Sequence, residues 1–317
     1  MEKNALKNEG EQFGDLLEYA EKISSEYKED KRRFEELKTE IGQAELIANV
    51  RAYESSKPAD ERICYDPLAI HFINPKMWEV LVNHPEMAAD TETGINSIVS
   101  RVRYFDDFVE KYVKEGLQQL IILGAGFDTR AYRIKGLENV KIFEVDHPET
   151  QQYKTRKIKE IFESIPENVI YVPIDFESQK IAEKLFNKGY DSSLKTLFLM
   201  EGFIYYITPE AVVETLSFIV KNSGNDSAVV FDYLLDSGVK EGNKQRQDAN
   251  VFKFGIKEDG LEEFLGQFGF SDIQGSTTKD LKKLYYHGKN ENRFPPSEKI
   301  LHFAIAILNR RTRLTGL

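Results

Sequence analysis

The sequence predicts an α/β protein in which helices cover both faces of a doubly wound, seven-stranded, mostly parallel sheet, with helical additions ahead of it. Two observations carry this prediction. Short apolar runs alternate with amphipathic stretches through the middle of the chain, the rhythm of parallel strands joined by crossover helices. Glycines and acids stand just past the ends of those runs, where open α/β sheets bind their ligands.

The strands are read at 119–123, 141–145, 169–173, 196–200 and 228–233, each short and apolar enough to be buried on both faces. Helices are expected at 100–114, 148–164, 178–187 and 209–222. The last opens on Thr208-Pro209-Glu210, a capping hydroxyl followed by proline at the first helical position. Beyond Leu261 a helix ending near Gly269, a segment at 270–275 and an apolar run at 301–308 supply two further strands, the late pair forming an antiparallel edge. The whole is a Rossmann-like arrangement. Ahead of it, residues 11–50 are highly charged, with Phe13, Leu16, Leu17, Ile23, Phe34, Leu37 and Ile41 at roughly helical spacing. That pattern fits either a solvated helix pair packing on the domain or a lid that meets a partner. Asp66 is placed to cap a helix with Pro67 in its first turn, and Pro75 and Pro85 break the chain again. The expected division is a helical region or lid over 1–95 and a ligand-binding domain over 96–317, with no internal repeat.

Composition narrows the function. A formal net charge of −10 and a pI near 5.3 disfavour binding that works by neutralising phosphates, so no nucleic-acid partner is expected. Cys64 is the only cysteine, which excludes an internal disulfide and a cysteine metal cluster. The amino-terminal stretch is charged, without the apolar core of an export signal, and no run approaches the ~20 apolar residues of a membrane span. The expectation is a cytoplasmic protein with no membrane partner. Asn225-Asp226-Ser227 reads formally as a sequon but fits an ordinary polar loop.

The candidate chemistry lies at the strand ends. After the first strand, Gly124, Ala125 and Gly126 make a turn tight enough to approach a ligand closely, but Thr129 stands where a dinucleotide fingerprint has its third glycine. Asp146 follows the second strand, twenty positions after Gly126, where an acid accepts from ribose hydroxyls; it is also placed to cap the next helix. Asp175 and Phe176 follow the third strand, as an adenine contact or as a polar loop. Glu201 and Gly202 follow the fourth. His71, His84, His147, His287 and His302 lack metal-ligand spacing, and no Gly-x-Ser-x-Gly elbow occurs, so neither a metal site nor a serine hydrolase is expected.

As an ordered set, these motifs resemble a known family. Asp66-Pro67-Leu68-Ala69, Ser100-Arg101-Val102-Arg103-Tyr104-Phe105-Asp106-Asp107, the run from Leu123 to Arg130, Glu144-Val145-Asp146-His147-Pro148 and Glu201-Gly202-Phe203-Ile204-Tyr205-Tyr206 are similar to those of leucine carboxyl methyltransferase and related bacterial O-methyltransferases. The resemblance extends from about Tyr65 to Val220. It implies S-adenosyl-L-methionine as cofactor and a small-molecule or peptide acceptor. It also implies that Arg101 pairs with the cofactor carboxylate, that Gly124, Ala125 and Gly126 lie against the methionine part, and that Asp146 holds the ribose. Asp175 and Phe176 would frame the adenine, Glu201 would face the ammonium, and Tyr206 would stand on the substrate side. The Glu201 to Tyr206 run looks more like the bacterial branch, so the substrate of the protein-methylating member is not implied.

Methyl transfer from a sulfonium asks the protein mainly for alignment, and a carboxylate acceptor, already anionic at pH 7, needs no base. The sequence presents no strong general base, which favours carboxyl methylation, or a hydroxyl activated by tyrosines or by the substrate itself. Two rivals share the pattern: a nicotinamide-dependent oxidoreductase on a similar sheet, and a non-catalytic cofactor-binding module.

Overall fold

The computed structural model describes residues 40–75, 78–79, 82, 92–246, 251–293 and 301–308. Most of the amphipathic pattern at 11–50 lies outside the described residues; its end belongs to helix α1, Glu40–Ser55. The chain divides into two compact units, residues 1–100 with 285–297 and residues 101–284 with 298–317.

In the first unit, buried Glu54 of α1 gathers the Nζ of Lys57 at 2.8 Å, the amide of Ile63 at 2.6 Å and Nη2 of Arg293 at 2.7 Å. A buried carboxylate persists only with such partners. Asp66 pairs with Arg51 at 3.3 Å and accepts from the Leu68 amide at 3.1 Å within a local turn; the 3-10 helix that follows, Ala69–Phe72, has Leu68 at its N-cap and no side-chain cap, so Asp66 does not cap it as expected.

The second unit holds one sheet. Helix α2, Glu92–Lys114, leads into β1, Gln119–Leu123; then follow α3, Arg130–Arg133, β2, Lys141–Asp146, α4, Pro148–Phe162, β3, Val169–Pro173, and α5, Ile181–Asn187. After these come β4, Thr196–Met200, α6, Pro209–Lys221, β5, Ala228–Tyr233, α7, Asp236–Arg246, α8, Leu261–Gly266, β6, Asp272–Thr277, α9, Thr278–Tyr285, and β7, His302–Ile307. The strand order is β3-β2-β1-β4-β5-β7-β6, parallel except for β7, which runs against both neighbours.

All residues of β1, β4 and β5 are buried, as a sheet covered on both faces requires. Helix α2 begins eight residues before the expected 100, because Ile95 and Val99 continue the buried stripe of Val102, Phe105, Val109 and Tyr112 with no breaker between. Strand β6 lies two residues later than expected; as an outer strand it is half exposed and carries little apolar signal. Thr208 caps α6 as its sequence indicates, accepting from the Ala211 amide. The order reverses between β1 and β4, and this switch point opens the carboxyl edge to ligands. Among the described residues, no helix is long and apolar enough to cross a membrane.

Candidate cofactor site and its charge network

The turn after β1 is bound to the end of β2. The amides of Gly124 and Ala125 donate to the Val145 carbonyl at 2.9 and 3.1 Å, and the Asp146 carboxylate accepts from the amides of Gly126 and, at 2.6 Å, His147. Gly124 and Gly126 take φ of 67° and 43°, a region that favours glycine. A Cβ on Gly124 would stand 2.5 Å from the Phe203 ring, so the missing side chain lets Phe203 close on the turn. Phe203 packs edge to face on Phe176 at 4.7 Å. An apolar wall therefore runs from the loop after β3 to the glycine turn.

Beside it lies a charge network. Arg101 of α2 donates from Nε to Glu201 at 3.1 Å and from Nη1 to Asp232 at 3.1 Å and the Tyr205 hydroxyl at 3.4 Å. Its Nη2 has no acceptor among the described residues. Gly202, at φ 62°, lies against the flat face of this guanidinium; a Cβ there would stand 3.4, 3.5 and 3.6 Å from Nη2, Nη1 and Cζ. Arg130 of α3 reaches Asp106 at 2.6 Å, Asp128 at 2.5 Å and Glu201 at 2.8 Å. Arg133 forks onto Asp106 with two bonds of 2.8 Å. Both oxygens of Glu201 are thus engaged, one by each of two arginines.

Burial alone would lower the pKa of Arg101, but Asp232, Tyr205 and Glu201 outweigh it, and the guanidinium stays charged. Burial, reinforced by Asp232, holds the Tyr205 hydroxyl well above the ordinary phenol range, so it remains a donor. Burial also raises Asp232, opposed by Arg101 and the Gly202 amide.

Of the residues singled out from sequence, Arg101 and Glu201 meet directly, and Gly124, Ala125, Gly126 and Asp146 form one bonded unit. Phe176 joins that unit through Phe203. The Asp175 carboxylate instead serves its own loop, accepting from the Ser178 hydroxyl at 2.6 Å and the Glu177 amide at 3.0 Å. Tyr206 packs with Tyr205 and Phe252 at ring distances of 4.7 and 5.4 Å. The sequence reading missed Asp232, Tyr205, Arg130 and Asp106 as members of the network. A charge within the apolar run of β5 was a signal for Asp232, because a buried carboxylate demands a partner.

The fold is similar to that of a solved structure from Thermobifida fusca YX described as a "putative methyltransferase", at a TM-score of 0.54 and 16% identity over 83% of this chain and 94% of that one. Among curated relatives, the "Putative S-adenosyl-L-methionine-dependent methyltransferase YktD" of Bacillus subtilis (strain 168) is 34% identical over 168 residues, 52% of this chain and 55% of the relative. A "Putative S-adenosyl-L-methionine-dependent methyltransferase" of Mycobacterium sp. (strain JLS) is 27% identical over 218 residues, 66% of this chain and 71% of the relative. The match thus spans little more than half of the Bacillus protein's length. Both curated relatives are named as putative S-adenosyl-L-methionine-dependent methyltransferases. A family model described as leucine carboxyl methyltransferase matches residues 44–220, more than half of the chain, and the chain belongs to that family. Membership removes the nicotinamide-dependent oxidoreductase reading.

Proposed function

We propose that the chain is an S-adenosyl-L-methionine-dependent O-methyltransferase of the cytoplasm, methylating a carboxyl or hydroxyl group of a small-molecule or peptide acceptor. The observation that carries this reading is the pinned guanidinium of Arg101, whose Nη2 has no acceptor among the described residues. An open planar donor of this kind suits a carboxylate. The residues fit the cofactor in two further ways. The glycine turn offers a backbone that a ligand can approach, and Asp146 stands at the end of β2 as an acceptor for a vicinal diol. Three arginines stand against four carboxylates in the network, one net negative charge, which favours a cationic ligand over a dinucleotide pyrophosphate.

When bound, the cofactor supplies an electrophilic methyl group on a sulfonium. The chain's own contribution is alignment and exclusion of water. Arg101 would hold one end of the ligand and Asp146 the ribose, with Phe176 and Phe203 as an apolar wall beside the glycine turn. Tyr206, beside Phe252, is assigned to the acceptor side. Tyr205 keeps its proton and donates to Asp232, so it cannot serve as a base at neutral pH. An acceptor that is already anionic suits such a site, which favours a methyl ester.

Calorimetry with S-adenosylhomocysteine and with a nicotinamide dinucleotide tests the cofactor assignment; binding of the dinucleotide alone would overturn it. For the acceptor, cell extract is incubated with the enzyme and methyl-labelled cofactor. Mild alkali should release the label as volatile methanol, whereas alkali-stable label rejects the ester.

A further inference from the structure

Asp232 has a more exacting position than its place in an apolar strand suggests. The register Met200↔Phe231 sets Asp232 of β5 level with Glu201, immediately past β4. Its side chain is fully buried, and its two oxygens serve different purposes. Oδ2 accepts from Arg101 Nη1 at 3.1 Å and from the Tyr205 hydroxyl at 3.3 Å, while Oδ1 accepts from the Gly202 amide at 2.6 Å. One carboxylate therefore holds both the arginine and the glycine that packs on the face of its guanidinium.

The geometry of a guanidinium gives this arrangement its consequence. A single bond at Nε leaves the planar group free to turn about the bonds of a long, flexible side chain. Glu201 cannot restrain it alone, because its other oxygen is committed to Arg130 at 2.8 Å. A second carboxylate at Nη1 fixes the plane, and with it the direction of Nη2, which has no acceptor among the described residues. Gly202 at φ 62° is held in place by the same residue, so the guanidinium and the backbone packed on its face are set together. Tyr205 closes the ring by accepting from Arg101 and donating to Asp232.

We propose that Asp232 is the positioning residue of the cofactor site, acting through Arg101 to aim Nη2 at the cofactor's carboxylate. The proposal rests on the reading that Arg101 binds that group. Its test compares two probes by calorimetry: S-adenosylhomocysteine, and 5′-methylthioadenosine, which keeps the nucleoside and lacks the amino-acid end. Asp232→Asn should weaken S-adenosylhomocysteine roughly tenfold or more and leave methylthioadenosine within about twofold, a selectivity that general loosening of the fold would not produce. Introduced into an Arg101→Ala background, Asp232→Asn should add less than about twofold, because its route of action is gone.

Equal loss of both probes would overturn the proposal. So would an unchanged affinity for S-adenosylhomocysteine in Asp232→Asn when Arg101→Ala alone weakens it. If Arg101→Ala itself leaves the affinity unchanged, the underlying assignment of Arg101 fails, a result distinct from the previous two. Should Asp232→Asn not fold, as judged by its circular dichroism melt, Asp232→Glu retains the charge and displaces the guanidinium by one methylene. The same selective loss is expected from it, and equal loss of both probes overturns the proposal.

Discussion

Arg130→Lys probes the point at which the charge network is tied together. Arg130 is almost wholly buried, and its three nitrogens reach carboxylates from three parts of the chain: Asp106 in α2, Asp128 in the glycine turn and Glu201 beyond β4. Lysine keeps the charge but concentrates it on one nitrogen, which cannot span the three. Asp106 would retain Arg133 and Glu201 would retain Arg101, so Asp128 loses most. Breaking a buried pair costs ~3–5 kcal/mol. Because two of the three acids keep another arginine, the expected loss is the lower end, about 3 kcal/mol. A typical domain has only ~5–15 kcal/mol in total. With a urea m-value of about 3 kcal/mol/M, the unfolding midpoint should fall by about 1 M. Circular dichroism of the ligand-free protein in urea measures this, with m unchanged between variants. A midpoint within about 0.2 M of wild type, or ~0.6 kcal/mol at that slope, would refute the tying role.

Other outcomes follow from the same geometry. Asp146→Asn should weaken S-adenosylhomocysteine and barely distinguish it from an analogue lacking the ribose hydroxyls; discrimination equal to wild type would return Asp146 to its bonds with Gly126 and His147 alone. Gly124→Ala would force a Cβ against Phe203 at a φ of 67°, costing ~1–3 kcal/mol for the backbone alone and disturbing the apolar wall, so a variant with native affinity and melting temperature counts against that packing. Burial lifts the Glu144 carboxyl to about 7, against the opposing pull of Lys154 at 2.7 Å. The folded protein then keeps a proton that the unfolded chain releases near 4.5, so this contribution to stability is full below that pH and lost as pH rises through about 7. Between pH 5 and 8 the melting temperature of wild type should fall relative to Glu144→Gln; parallel profiles would exclude the linkage.

The parallel strands were legible because each is a short apolar run buried on both faces, bounded by glycine, proline or acid. Where burial is partial the signal weakens, which is why β6, with the sequence Asp-Ile-Gln-Gly-Ser-Thr, was displaced by two residues. The site divided along similar lines. Arg101 and Glu201 stand in motifs, and their meeting across a hundred residues came from the fold. Arg130 lay inside the glycine-turn motif without a role, because its partners Asp106 and Glu201 are far from it in the chain. Adjacent Tyr205 and Tyr206 could not be told apart by spacing alone: one hydroxyl enters the network, and the other ring packs with Phe252. For Asp175 the polar-loop alternative describes its bonds.

The position of β7 has a bearing on how the sheet is made. It is inserted between β5 and β6, yet it follows both in the chain, and its register with β5 joins residues far apart in sequence, such as Ala228 with Ile307. During synthesis, β5 therefore emerges with one edge of unpaired amides and carbonyls, lined by residues that are wholly buried at the end. That edge waits for a strand the ribosome has not yet made. Closing so long a loop is slow compared with forming local helices, and a chain held at this stage displays an open template to its neighbours. Early termination before residue 302 would leave the switch point and glycine turn encoded in full, but would expose the strand that carries Asp232 to pairing with another nascent chain.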